Sequence, residues 1–238
     1  MALPNLNTPT YMLTIPSTGE TVKYRPFLVS EEKILLMAME GSDQKEMVEA
    51  LKQIVSNCTE GAIDVETLTL FDLEFIFLNL RSKSIGNMIE LTAKISCEKE
   101  DCPKVVPFEV DLNEVEMIQD ENHSDKIMLN DTVGVVMKYP SLDAIAKIQS
   151  DNVGFDELFS VVIESIDMIF DQENTYPTKE QSRKDLEDFI NSFTDEQFKK
   201  IVGFFETMPR LEKEVTITCP NCGRSETTKL EGLQNFFA

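Results

Sequence analysis

Four of the five cysteines fall in two close pairs, Cys97-x4-Cys102 and Cys219-x2-Cys222. A structural zinc site takes four thiolate or imidazole ligands in a tetrahedron. A tight turn carrying two cysteines offers two ligands on one side of the ion, and a second such turn offers the rest. The run Cys219-Pro-Asn-Cys-Gly has the form of a zinc knuckle: Pro220 stiffens the entry, and Gly223 lets the backbone fold back. The two pairs lie well over a hundred residues apart, so their meeting is an inference from topology. Four protein ligands leave no open position, which makes such a zinc structural rather than catalytic. The alternative is four unmetallated thiols that fill turn positions. Disulfides do not suit the reducing cytoplasm in which the chain is expected to mature. Cys58, at the end of an expected helix, reads as a small core residue.

Other chemistry is thinly represented. The chain has a single histidine, His123, in the acidic stretch from Glu114 to Lys126, which reads as an exposed loop. Histidine-dependent nucleophilic catalysis would have to run through it. There is no Gly-x4-Gly-Lys-Ser/Thr loop, no Gly-x-Gly-x-x-Gly and no Gly-x-Ser-x-Gly elbow. Carboxylates are plentiful, but nothing singles out one pair for acid–base work. The stretch Asp120 to Asp125 lacks the glycine that a calcium loop needs at its sixth position.

The elements that must position the cysteines are β hairpins. Ile89, Leu91, Ala93 and Ile95 alternate with polar residues, as do Val106, Phe108, Val110 and Leu112, and Cys97 and Cys102 lie between the two runs. Val215, Ile217 and Cys219 alternate again, and a strand returns around Thr227 to Leu230. The N-terminus predicts another hairpin, with Tyr11 to Ile15 and Thr21 to Tyr24 around Pro16-Ser-Thr-Gly. Helices follow: one capped by Ser30 and opening with Glu31 and Glu32, one near Gln44 to Asn57, and one over 66–84 that is apolar nearly all round and therefore buried. Gly86 is placed to stop the third. Residues from Ile127 to Tyr139 return to β character, and 142–208 read as helical, most clearly from Phe155 to Ile169 and from Thr194 to Phe205.

The expected fold class is α+β: β hairpins forming a split zinc-ribbon-like scaffold, with N-terminal helices and a helical insertion. Its parts are an α+β unit over 1–140 with the first cysteine hairpin, a helical insertion over 141–210, and the second cysteine hairpin and tail over 211–238. With 238 residues, 42% of them hydrophobic, the chain can bury a sizeable core. A formal net charge of −21 repels nucleic acid and anionic membranes and favours a basic partner. The longest apolar run, around Phe75 to Leu78, falls far short of the ~20 residues of a bilayer span. Met1 to Pro9 carries no signal-peptide pattern.

Several long stretches carry a family resemblance. They are Met1-Ala-Leu-Pro-Asn-Leu-Asn-Thr-Pro-Thr-Tyr, Lys23-Tyr-Arg-Pro-Phe-Leu-Val-Ser-Glu-Glu-Lys-Ile-Leu-Leu, Phe71-Asp-Leu-Glu-Phe-Ile-Phe-Leu-Asn-Leu-Arg-Ser-Lys-Ser-Ile-Gly and Val133-Gly-Val-Val-Met-Lys-Tyr-Pro. Together they resemble the baseplate hub subunits of T-even-type contractile-tailed bacteriophages. The resemblance implies a late viral protein that helps to build the tail baseplate hub with other hub and tail proteins. It would be found in the host cytoplasm during assembly and in the virion tail baseplate, and no catalytic residues are carried over. The zinc site rests on this sequence alone.

Two groups suggest contacts with such partners. Arg81 and Lys83 form a rare basic patch, with favourable charge at a helix C-terminus as the alternative role. Leu233, Phe236 and Phe237 offer apolar anchors, with packing on the chain's own core as the alternative. Besides a hub subunit, the sequence leaves room for a transient assembly chaperone absent from the virion, and for a metal-dependent hydrolase of the tail tip.

Overall fold

A computed structural model describes residues 6–40, 44–97, 102–103, 105–148 and 155–236. It is a mixed α+β protein with two apolar cores. Strands β1 (Tyr11–Thr14) and β2 (Thr21–Tyr24) form the expected hairpin, with Tyr11 opposite Tyr24. Helices α1 (Val29–Glu40), α2 (Gln44–Cys58) and α3 (Leu70–Ser84) follow. Ser30 lies inside α1 rather than before it. The Glu31 carboxylate reaches back to accept the Leu28 N–H at 2.8 Å and pairs with Arg25 at 3.2 Å, so Leu28 takes the cap position.

Helix α3 is the centre of the first core. Leu73, Ile76, Phe77 and Leu80 are fully buried, as an all-round apolar helix requires. Thr69 and Asp72 close a capping box at its start, and Asp72 also accepts the Ser17 N–H at 3.0 Å, tying the first hairpin to the helix. At the other end the Ser84 hydroxyl accepts the Phe27 N–H at 2.9 Å, and Gly86 at φ +131° turns the chain into the next strand.

Strands β3 (Met88–Lys94) and β4 (Val105–Asp111) pair in register, Met88 opposite Asp111 and Lys94 opposite Val105. A short strand β5 (Glu116–Ile118) then runs where an exposed loop was expected. It pairs with β10 (Arg210–Thr218), whose other edge holds β11 (Ser225–Glu231). With only three residues in an acidic stretch, β5 has no periodicity of its own. Its partner, together with the Lys213–Glu114 ion pair at 2.8 Å, comes from the far end of the chain.

The second core lies on a four-stranded sheet, β6 (Lys126–Met128), β7 (Gly134–Met137), β8 (Ile166–Phe170) and β9 (Thr175–Pro177). Helices α5 (Phe155–Ser165), α6 (Arg183–Asn191) and α7 (Asp195–Glu206) flank it, and the short α4 (Leu142–Ile148) precedes them. The apolar cluster of this core begins at Ile127. The stretch 142–208 is therefore not helical throughout: β8 and β9 are strands. Val162, Ile163, Ile166 and Ile169 have helical spacing, but Ile166, Met168 and Phe170 also alternate, and pairing with β7 decides for strand.

Gly134 marks how closely that sheet packs. A Cβ there would run into the Phe170 ring and stand 2.9 Å from the Ile127 carbonyl oxygen. Gly134→Ala is expected to cost about 1–3 kcal/mol, the range for overpacking a filled site, measured by urea unfolding. An unchanged midpoint would contradict this packing.

The two cores meet along an aromatic seam. The Phe71 and Tyr139 rings lie edge to face with centroids 5.0 Å apart, and Tyr139 stacks on Phe204 at 5.7 Å. Nearby, the buried Lys52 of α2 pairs with Glu49 at 3.2 Å, Glu66 at 2.9 Å and Asp143 at 3.0 Å, binding α2 to the start of α4. Burial alone would lower the Lys52 pKa, but the three carboxylates outweigh it and raise it. Among the described residues, no helix is long and apolar enough to cross a membrane.

Candidate metal centre

Both cysteine hairpins belong to the first core. Strands β4 and β10 are in contact, and Ile95, Val106, Ile217 and Cys219 are buried in the same core. This brings the loop after β3 and the turn between β10 and β11 to the same end. The turn closes with the Cys219 N–H on the Arg224 carbonyl at 2.8 Å and the Gly223 N–H on the Cys219 carbonyl at 3.0 Å. Gly223 sits at φ +73°, a conformation that costs glycine little.

The Sγ atoms of Cys97, Cys102, Cys219 and Cys222 all lie within 4.8 Å of one another. The Cys97–Cys222 separation is 3.6 Å. Sulfurs at ~2.3 Å from a tetrahedral ion stand about 3.8 Å apart, whereas a disulfide requires ~2 Å. The four thiols are free, and they lie close enough together to hold a metal ion.

The electrostatics of the cluster are uneven. Backbone N–H groups of Cys222 and Asn221 point at the Cys219 sulfur and bring its pKa down to about 6. Burial and the neighbouring thiols push Cys97 up to about 12 and raise Cys102 as well. The backbone N–H groups therefore favour the thiolate at Cys219, while Cys97 and Cys102 hold their protons more tightly. A cation would displace them, as metal binding to thiols does. Asn221 donates to the Cys102 sulfur at 3.8 Å and so joins the two hairpins directly. Its place inside the knuckle was the only sequence signal for that role. Cys58 lies elsewhere, in the first core, where burial pushes its thiol up to about 11.

The other expected site residues do not gather here. Leu233 and Phe236 are 5% and 2% exposed in the first core, so they are packing residues and not free anchors. Burying both removes more apolar surface from water than a tail in solvent could. Phe237 lies outside the described residues. The Lys83 ammonium is 5.7 Å from the Tyr11 ring centroid, and Arg81 is half-buried with its Nη1 unpaired.

His123 is also misread as an exposed loop residue. Its ring stacks on Tyr139 at 5.7 Å and tilts against Phe204 at 4.9 Å. Nδ1 contacts the Thr207 hydroxyl at 2.9 Å and Nε2 the Tyr139 hydroxyl at 3.1 Å, so both ring nitrogens are committed to the seam. Burial lowers its pKa below the ordinary 6.5, against the opposing pull of Asp125 and Asp120. The unfolded chain takes up this proton near pH 6.5 and the folded chain only at lower pH. The stabilisation is therefore present above about pH 6.5 and is lost as pH falls through the lower folded value. His123→Gln should flatten the fall in melting temperature between about pH 7 and pH 5. Parallel curves for parent and variant would contradict that coupling.

The fold and its centre define a class: an α+β protein carrying a four-thiol cluster, which is the single potential metal-holding group found among the described residues. The chain belongs to the T4 bacteriophage base plate protein family, whose model matches residues 8–238. It is similar to the baseplate hub assembly protein gp26 of Enterobacteria phage T4, with 20% identity over 230 residues, covering 95% of this chain and 97% of the relative. No solved structure matches it.

Proposed function

We propose that the chain is a non-enzymatic subunit that takes part in building the phage tail baseplate hub, with its cysteine hairpins held together by one structural zinc. The observation that carries the metal reading is the convergence of four sulfurs within 4.8 Å, with Cys97 and Cys222 of the two hairpins 125 positions apart. Cys97, Cys102, Cys219 and Cys222 are the ligands, and the two hairpins form a zinc ribbon split by the intervening chain. The family match and the name of the T4 relative support the hub role. The partners are other hub and tail proteins. The chain assembles in the host cytoplasm and ends in the virion baseplate.

A scaffold subunit needs stable surfaces, and the clip supplies one. A metal joining distant segments removes more freedom from the unfolded chain than one joining neighbours. The relative's description as an assembly protein equally suits a transient chaperone that leaves before the particle is finished. Quantitative mass spectrometry of purified particles separates the two. A fixed copy number per tail supports the hub subunit, and absence from particles but presence on assembly intermediates supports the chaperone. A hydrolase would show metal-dependent turnover of peptidoglycan by the purified chain, and no such turnover is expected.

A further inference from the structure

A cleft opens in the seam between the cores. At about 430 Å³, it lies where the C-terminal segment crosses the start of α3, between Phe71, Tyr139, Phe205 and Leu233. Three carboxylates face the same space, those of Glu74, Glu206 and Glu231, against one cation, Arg210. Arg210 is paired within its own sheet, with Nη2 3.4 Å from Glu212; its Nε, 3.7 Å from Glu231, makes an ion pair but no hydrogen bond. Glu74 and Glu206 form no ion pair among the described residues.

Glu74 is the unusual member. It sits in the second turn of α3, 8% exposed, and accepts the Leu233 N–H at 3.0 Å. Burial raises its pKa, and that backbone bond offsets only part of the rise. A carboxylate buried without a cation is costly unless it stays protonated or something basic reaches it. Here the buried group lines an open cleft, so a basic group can reach it from outside.

We propose that this cleft receives an arginine side chain from a partner protein. A planar guanidinium carries enough N–H donors to meet buried Glu74 and exposed Glu206 together, and its flat face suits aromatic walls. The volume falls in the range of specific ligand sites. The chain's net charge of −21 steers basic partners towards it. The proposal is independent of the zinc reading, since the cleft and the cysteines use different residues.

An NMR titration of the 15N-labelled full chain with acetyl-Gly-Arg-Gly-amide, beside its citrulline analogue, tests the proposal. Saturable shifts are expected at Phe71, Glu74, Glu206 and Gly232, with the citrulline peptide about tenfold weaker. Glu206→Gln, at an exposed position, should weaken the arginine peptide several-fold. Glu74→Gln keeps an acceptor for Leu233 and should abolish the preference for arginine over citrulline. Equal binding of both peptides, shifts centred elsewhere, or no saturable shift would overturn it. If Glu74→Gln fails to fold, the Glu206→Gln result decides.

Discussion

Replacing Cys219 by serine is expected to lower the melting temperature by about 10 °C or more, because metal affinity in such sites is folding free energy. Cys219 is 1% exposed, and its sulfur receives two backbone N–H groups of the knuckle. Those N–H groups favour its thiolate form. A serine oxygen is shorter and stays protonated, so the cage opens on one side. The junction between β4 and β10 then rests on side-chain packing alone.

Loss of packing would also lower stability, so a chelator series separates the causes. The parent should fall to the level of the variant when a strong zinc chelator is added, and the variant should not respond. Cys58→Ser, in the same core but away from the cluster, should lose some stability and keep the parent's chelator response. Insensitivity of the parent would show that the thiols act as unmetallated turn residues.

Phe77→Ala is expected to cost about 3–5 kcal/mol, the range for removing a fully buried aromatic ring. Phe77 is 0% exposed, and its ring stacks with Phe27 at 6.2 Å. The cavity would open in α3, against which the first hairpin, α2 and β10 all pack. Urea unfolding with an unchanged slope gives the value directly. A cost below about 1 kcal/mol, typical of partly exposed sites, would remove α3 from the centre of the fold.

The sequence is most legible where one physical signal acts alone. Alternation marked β3, β4 and β10, and the Cys-Pro-Asn-Cys-Gly run marked the turn that follows, so the cysteine cluster could be anticipated before any coordinates. Helix α3 was plain because its apolar residues leave almost no polar face. Signals that overlap or depend on distant partners were harder to read. At β8 the spacing of Ile166 and Ile169 fits helix and strand alike, and only β7 resolves it. At β5 the ladder partner lies in β10. His123 looked solvated among acidic neighbours because Tyr139 and Phe204, which cover it, are remote in sequence. Leu233 and Phe236 posed a different problem: an apolar tail reads the same whether it packs inward or onto a partner. Glu74 gave no sign of its burial beyond its place on an apolar helix.

The most direct measurement is the metal content of the purified chain beside a Cys219→Ser, Cys222→Ser double variant. One zinc per parent chain, lost in the variant, is the predicted result, and it would establish the metal that joins the two halves of the ribbon. A parent chain that carries no zinc after purification in its presence would contradict the metal centre at the heart of this account.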